Sequence, residues 1–150
     1  MTRSLVIAPN WVGDCVMAQP LLTRLKSKQP AMAIDVVAMP AVASVFRHMP
    51  EVAQVIEADF RHGSMGLGER WRLGRSLRGR YAQAFVLPNS WKSALTPFFA
   101  DIALRAGYSG ESRYGLINLL HANPVRGARS VPMARFYAQL AEPPGRALGP

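Results

Sequence analysis

Four short apolar runs, each followed by a stretch of helical composition, limit what this chain can fold into more than any other feature. The runs are Ser4 to Ala8, Ala33 to Met39, Ala53 to Ala58 and Ala84 to Leu87. Apolar runs of this length between turn residues read as buried strands. The helical stretches are Asp14 to about Lys28, Pro40 to Arg47, Leu67 to Leu77 and Trp91 to about Ile102. Lys26 and Lys28 suit a helix C-terminus, and Pro20 should kink the first helix. Strand and helix in alternation predict an α/β fold: one Rossmann-like parallel sheet with helices on both faces. Ligands of such sheets bind at the carboxyl ends of the strands. Loops 9–14, 59–66 and 88–92 are therefore the places to look for a site.

Past Ile102 the pattern weakens. Arg105 to Gly115 is Gly-rich and polar, and Val131 to Leu140 suits one more helix. Ala141 to Pro150 holds three Pro and two Gly and reads as a linker or tail. We expect one domain over 1–140, since 150 residues leave room for no more. No apolar run approaches the ~18 residues of a membrane span, and the N-terminal run is too short for a secretory signal. With Cys15 as the only cysteine, an internal disulfide framework is excluded. The expectation is a cytoplasmic protein.

The charge is uneven. Lys and Arg number 18 against 9 acids, a net +9, and only Lys26, Lys28 and Lys92 are lysines. A polyanionic or phosphorylated partner fits this balance, although the codon bias of a GC-rich genome also enriches Arg. Residues 61–80 hold six Arg (61, 70, 72, 75, 78 and 80) against Glu69. Arg70, Arg72, Arg75 and Arg78 spread around a helix, which suits a solvated surface. Arg61 instead follows the third strand, in a loop with Gly63 and Gly66.

The first loop, Asn10-Trp11-Val12-Gly13-Asp14, lacks the glycines of a phosphate-cradling turn, and Asp14 would repel a phosphate there. Asp14 is then either a helix cap or a carboxylate facing the ligand cleft and able to act as a base. Asn89 or Ser90 supplies cap chemistry after the fourth strand. Lys92 follows in a first turn where a cation opposes the helix dipole, which hints at an anionic ligand. His48, His62 and His121 have no metal-ligand spacing, and Cys15 reads as a buried packing residue. A basic nucleic-acid-binding module and a stand-alone Rossmann-like nucleotide binder are the competing classes. The first lacks a helix-turn-helix, RNP or zinc signature, and the second lacks a Gly-rich first turn.

Residues 6–21 (VIAPNWVGDCVMAQPL) resemble the N-terminus of the ADP-heptose:lipopolysaccharide heptosyltransferases, glycosyltransferase family 9, and are nearest to their heptosyltransferase II branch. Leu87 to Leu95 with Pro97-Phe98-Phe99-Ala100, Gly110 to Asn118, and Pro132-Met133 with Arg135-Phe136-Tyr137 resemble further blocks of that family. The resemblance runs from about residue 4 to 140 and is poor over Leu119 to Ser130.

It implies a two-lobed GT-B glycosyltransferase, of which this chain matches the N-terminal, acceptor-binding lobe; the donor lobe is absent. The implied reaction is inverting transfer of heptose from ADP-heptose to the heptosyl-Kdo-lipid A inner core. Asp14 matches the family's base. No D-x-D motif is present, consistent with a metal-independent reaction and no cofactor. Acceptor-binding candidates are Asn10, Trp11, Gly13, Arg61, Asn89, Ser90, Lys92 and Arg113. The implied partners are ADP-heptose, held mainly by the absent lobe, the lipid A inner core, and the cytoplasmic face of the inner membrane as a peripheral site; nucleic acid is not among them.

Overall fold

A computed structural model describes residues 3–58, 67–88, 92–108, 117, 119–121 and 137–142. The first half alternates as the sequence predicts: β1 (Arg3–Ile7), α1 (Val12–Met17), α2 (Gln19–Lys28), β2 (Ala33–Ala38), α3 (Pro40–Arg47) and β3 (Val52–Glu57). Then come α4 (Leu67–Ser76), β4 (Gln83–Val86), a 3-10 turn (Lys92–Ala94), α5 (Leu95–Phe99), β5 (Leu104–Tyr108), β6 (Leu119–His121) and a closing 3-10 turn (Gln139–Ala141). The strands form one sheet in the order β3-β2-β1-β4-β5-β6, and every pairing is parallel.

Alternate residues of the central strands serve opposite faces, as the two-residue period of a strand requires. Val6 and Ala8, Ile34 and Val36, and Phe85 and Leu87 join one core with Cys15, Ala18, Leu21, Leu22, Phe46, Tyr137 and Leu140. Leu5 and Ile7, Val37, and Ala84 and Val86 join the other with Leu77, Tyr81, Ala94 and Ile102. Strands buried on both faces read as unbroken apolar runs, which is why these were legible in the sequence.

Three expectations need correction. The single helix from Asp14 to Lys28 is two helices parted at Ala18, whose N–H bonds the Cys15 carbonyl; Pro20 opens α2 rather than kinking a longer helix. Trp91 to Ile102 is likewise shorter: a 3-10 turn leads into the five residues of α5. The sheet also has two strands, β5 and β6, where the sequence reads as polar and weakly patterned. β5 carries Arg105 and Gly107, and its identity comes from its ladder with β4 rather than from its composition.

Of the helix expected over Val131 to Leu140, 131–136 lie outside the described residues, Tyr137 and Ala138 are helical, and the turn at Gln139–Ala141 follows. This segment docks on α2. Lys28 donates to the Ala141 carbonyl at 2.9 Å and pairs with Glu142, which also lies 3.8 Å from Arg24. Ala141 and Glu142 thus belong to the packed segment; 143–150 lie outside the described residues.

Candidate functional site

The chain leaves β1 towards β2 and reaches β4 on the other side of β1 only after β3 and α4. Such a reversal splays the loops after the two central strands and opens a crevice at the sheet's carboxyl edge. Ladder bonds continue just past the strands: Ala8 N–H to Val37 O at 2.9 Å, Leu87 N–H to Ile7 O at 3.2 Å, and Ala58 N–H to Ala38 O at 3.0 Å. They bring four strand ends to one rim. A cleft of about 230 Å³ lies there, lined by Ala8, Asn10, Met39, Arg70, Pro88 and Ser93 among others. This is below the ~300–1,000 Å³ of pockets that enclose a whole ligand.

Asp14 is half-buried on α1, the helix that follows β1, and like Trp11 is not among the cleft-lining residues. The helix's N-cap position is filled by Trp11, whose side chain makes no capping bond, and Asp14 is the third helical residue. Capping therefore does not account for it. Among the described residues, none donates a hydrogen bond to its carboxylate. Its neighbours do sense its charge. Burial, then Asp14, pushes the Cys15 thiol up to about 12; burial, then Asp14 and Cys15, pushes the Tyr137 phenol well above the usual tyrosine range. Cys15 is fully buried with its thiol 3.4 Å from the Pro9 carbonyl oxygen, as a packing residue should be.

The acceptor candidates separate. Asn10 lines the cleft. Lys92 opens the 3-10 turn after β4 and is half-buried. Trp11 stands 73% exposed and is not among the cleft-lining residues. A Cβ at Gly13 would meet nothing within 4 Å, so no close approach requires glycine there. Arg61, Asn89, Ser90 and Arg113 lie outside the described residues.

The structure adds Arg70, which the sequence reading left among the surface arginines. It lines the cleft, and burial lowers its pKa. The signal was present: Arg70, Leu73, Gly74 and Leu77 fall at i, i+3, i+4 and i+7, the buried stripe of α4. A charged residue on a core-facing stripe needs a partner, and Arg70 is not without one.

Residues 70–146, just over half of the chain, match the model of glycosyltransferase family 9 (heptosyltransferase). Lipopolysaccharide heptosyltransferase 2 of Salmonella typhimurium is 52% identical over 117 residues, covering 77% of this chain and 34% of the relative. Lipooligosaccharide heptosyltransferase 2 of Haemophilus ducreyi is 45% identical over 145 residues, covering 94% and 42%. The solved structure of E. coli ADP-heptose LPS heptosyltransferase II superposes with a TM-score of 0.80 at 41% identity, over 97% of this chain and 41% of that one. The chain thus spans between a third and a half of the length of these relatives. Its central parallel sheet, its carboxyl-edge cleft and these matches together make it a member of glycosyltransferase family 9, the heptosyltransferases.

Proposed function

We propose that this chain is the acceptor-binding lobe, over about 1–140, of an inverting heptosyltransferase that moves heptose from ADP-heptose to the heptosyl-Kdo-lipid A inner core. The single observation that carries the reading is Asp14: a half-buried carboxylate on the helix that follows β1, at the switch point of the sheet, with no hydrogen-bond donor among the described residues. A sugar hydroxyl is a poor nucleophile until its proton is being removed. Asp14 accepts that proton as the oxygen attacks the anomeric carbon, and ADP leaves from the opposite side. The acceptor's phosphates and carboxylates are held by Arg70 and Lys92, with Asn10 on the cleft wall and Arg61, Asn89, Ser90 and Arg113 as further contacts. A second lobe binds the donor. Because the acceptor is lipid-anchored, the reaction runs at the cytoplasmic face of the inner membrane, with the protein peripheral to it.

The test joins this lobe to a donor lobe from a relative and compares the parent with Asp14→Asn. An amide has nearly the shape of the carboxylate but cannot take the proton. The expected result is kcat lower by about 10²–10⁴, the usual contribution of a placed general base, with unchanged melting temperature and acceptor affinity. A rate within a few-fold of the parent would sink the assignment.

A further inference from the structure

The helical layer over the second core carries residues on its outer side that neither the core nor the cleft uses. α4 and α5 meet closely at Gly74, where a Cβ would come within 2.6 Å of the Phe99 Cβ and 2.9 Å of the Thr96 carbonyl oxygen. Arg78, just past α4, donates from Nε to the Phe99 carbonyl at 3.1 Å and ties the two helices together. On this layer Trp71 of α4 is 50% exposed and Phe98 of α5 is 43% exposed. Each ring carries a guanidinium: Arg75 lies 5.4 Å from the Trp71 ring centroid and Arg105 lies 5.5 Å from that of Phe98. Arg72 is exposed on the same helix. The acids nearest in sequence are Glu69 and Asp101, so positive charge dominates the layer.

We infer that this α4–α5 layer is a docking face for an anionic phospholipid bilayer. Trp71 and Phe98 insert at headgroup depth, and Arg72, Arg75, Arg78 and Arg105 face the lipid phosphates. The argument is one of paired chemistry. Large amphipathic rings flanked by guanidinium groups suit the boundary between headgroups and acyl chains, where each ring has an apolar and a wet side. Basic residues add attraction to an anionic surface, and stacking on the rings keeps the guanidinium groups partnered when water is displaced. A nucleic acid would use the arginines, but to stack on these rings its bases compete with Arg75 and Arg105 for a face. The inference depends on the membrane setting proposed above for the identity of the occupant, but it uses none of the cleft residues.

The experiment is co-sedimentation of the chain with vesicles of phosphatidylglycerol and phosphatidylethanolamine, and with phosphatidylcholine vesicles. The parent should partition into the anionic vesicles and hardly into the neutral ones. Trp71→Ala with Phe98→Ala should weaken partitioning about tenfold through lost apolar burial. Arg72→Glu with Arg75→Glu and Arg78→Glu should weaken it about a hundredfold or more. Melting temperatures check that each variant folds. In a Trp11→Phe, Trp91→Phe background, brominated lipid should quench the fluorescence of Trp71, which reports on the face without altering it. Asp14→Asn should partition like the parent, so a failed catalytic assignment leaves the vesicle result readable. The inference is overturned if both vesicle types bind alike, if the variants bind like the parent, or if the lipid fails to quench Trp71. It is equally overturned if an oligonucleotide, or a second copy of the chain at rising concentration, protects Trp71 while vesicles do not.

Discussion

Asp35 and Asp14 are two acids at opposite edges of one sheet, and their surroundings differ in kind. Asp35 is fully buried on β2, and both oxygens are occupied. Arg3 donates to Oδ1 at 2.8 Å and to Oδ2 at 2.9 and 3.2 Å, and the Tyr81 hydroxyl donates to Oδ2 at 2.7 Å. Nearby, Gln83 donates to the Ser4 hydroxyl at 2.9 Å, and Ser4 in turn contacts the Met32 sulfur. At the carboxyl edge Asp14 is half-buried and receives no donor from the described residues. A buried charge must be paired or it costs several kcal/mol. The amino edge meets that demand within the chain. At the carboxyl edge, where parallel sheets bind ligands, a carboxylate is left without a donor among the described residues.

The largest effect on stability should come from breaking the amino-edge pair. Arg3→Met strands the Asp35 carboxylate and should cost about 3–5 kcal/mol, read by urea unfolding. Asp14→Asn should change stability by less than ~0.5 kcal/mol. Similar losses from both would erase the contrast between the edges. Gly74→Ala tests the link between the two regions, since α4 also carries Arg70 into the cleft. Its Cβ would sit 2.6 Å from that of Phe99, so one helix must shift. We expect a loss of about 1–3 kcal/mol; a neutral or raised melting temperature would refute the close approach.

Arg70→Ala should weaken binding of a phosphorylated acceptor fragment by about 1–3 kcal/mol, and added salt should shrink the difference. Equal affinities at low and high salt, by calorimetry, would remove Arg70 from the site. The smallest effect concerns pH. The folded Cys15 thiol is pushed up to about 12 by burial, then by Asp14, against an unfolded value near ~8.5. The unfolded chain therefore loses this proton first. The contribution is fully present below the unfolded value and is lost as pH rises towards about 12. Cys15→Ala should flatten the decline in stability between about pH 8.5 and 10, by at most ~1.4 kcal/mol per pH unit. Tyr81, Tyr108 and Tyr137, all raised chiefly by burial, steepen the decline at higher pH in parent and variant alike. Parallel curves from pH 8 to 10 would count against a buried, protonated thiol.

The central strands and their order of alternation with helices were legible because burial on both faces leaves only apolar side chains to choose from. Leu5-Val6-Ile7 and Val36-Val37 can be little else. Asp14 stands out as a candidate in the sequence because a carboxylate where a parallel sheet feeds a helix suggests a site. The split at Ala18, by contrast, comes from a local backbone choice that composition does not encode. Arg70 was hidden for another reason: a spread of arginines around a helix does not show which one faces the sheet until the stripe through Leu73 and Leu77 is placed against it.

The sequence alone determined a parallel α/β fold, the apolar identity of its central strands, a basic surface and a carboxylate at the first strand's end. These follow from local pattern: period, run length and the turn residues that bound them. The tertiary structure alone decided that β5 and β6 complete the sheet, that Tyr137 returns to pack beside Asp14 and Cys15, and that Asp35 is silenced by Arg3 and Tyr81 while Asp14 is left without a donor among the described residues. Each depends on partners far apart in the chain, as Asp35 and Tyr81 are. Whether a polar group is spent on the fold or kept for a ligand is set by what the fold brings within hydrogen-bond reach, and no local pattern carries that information.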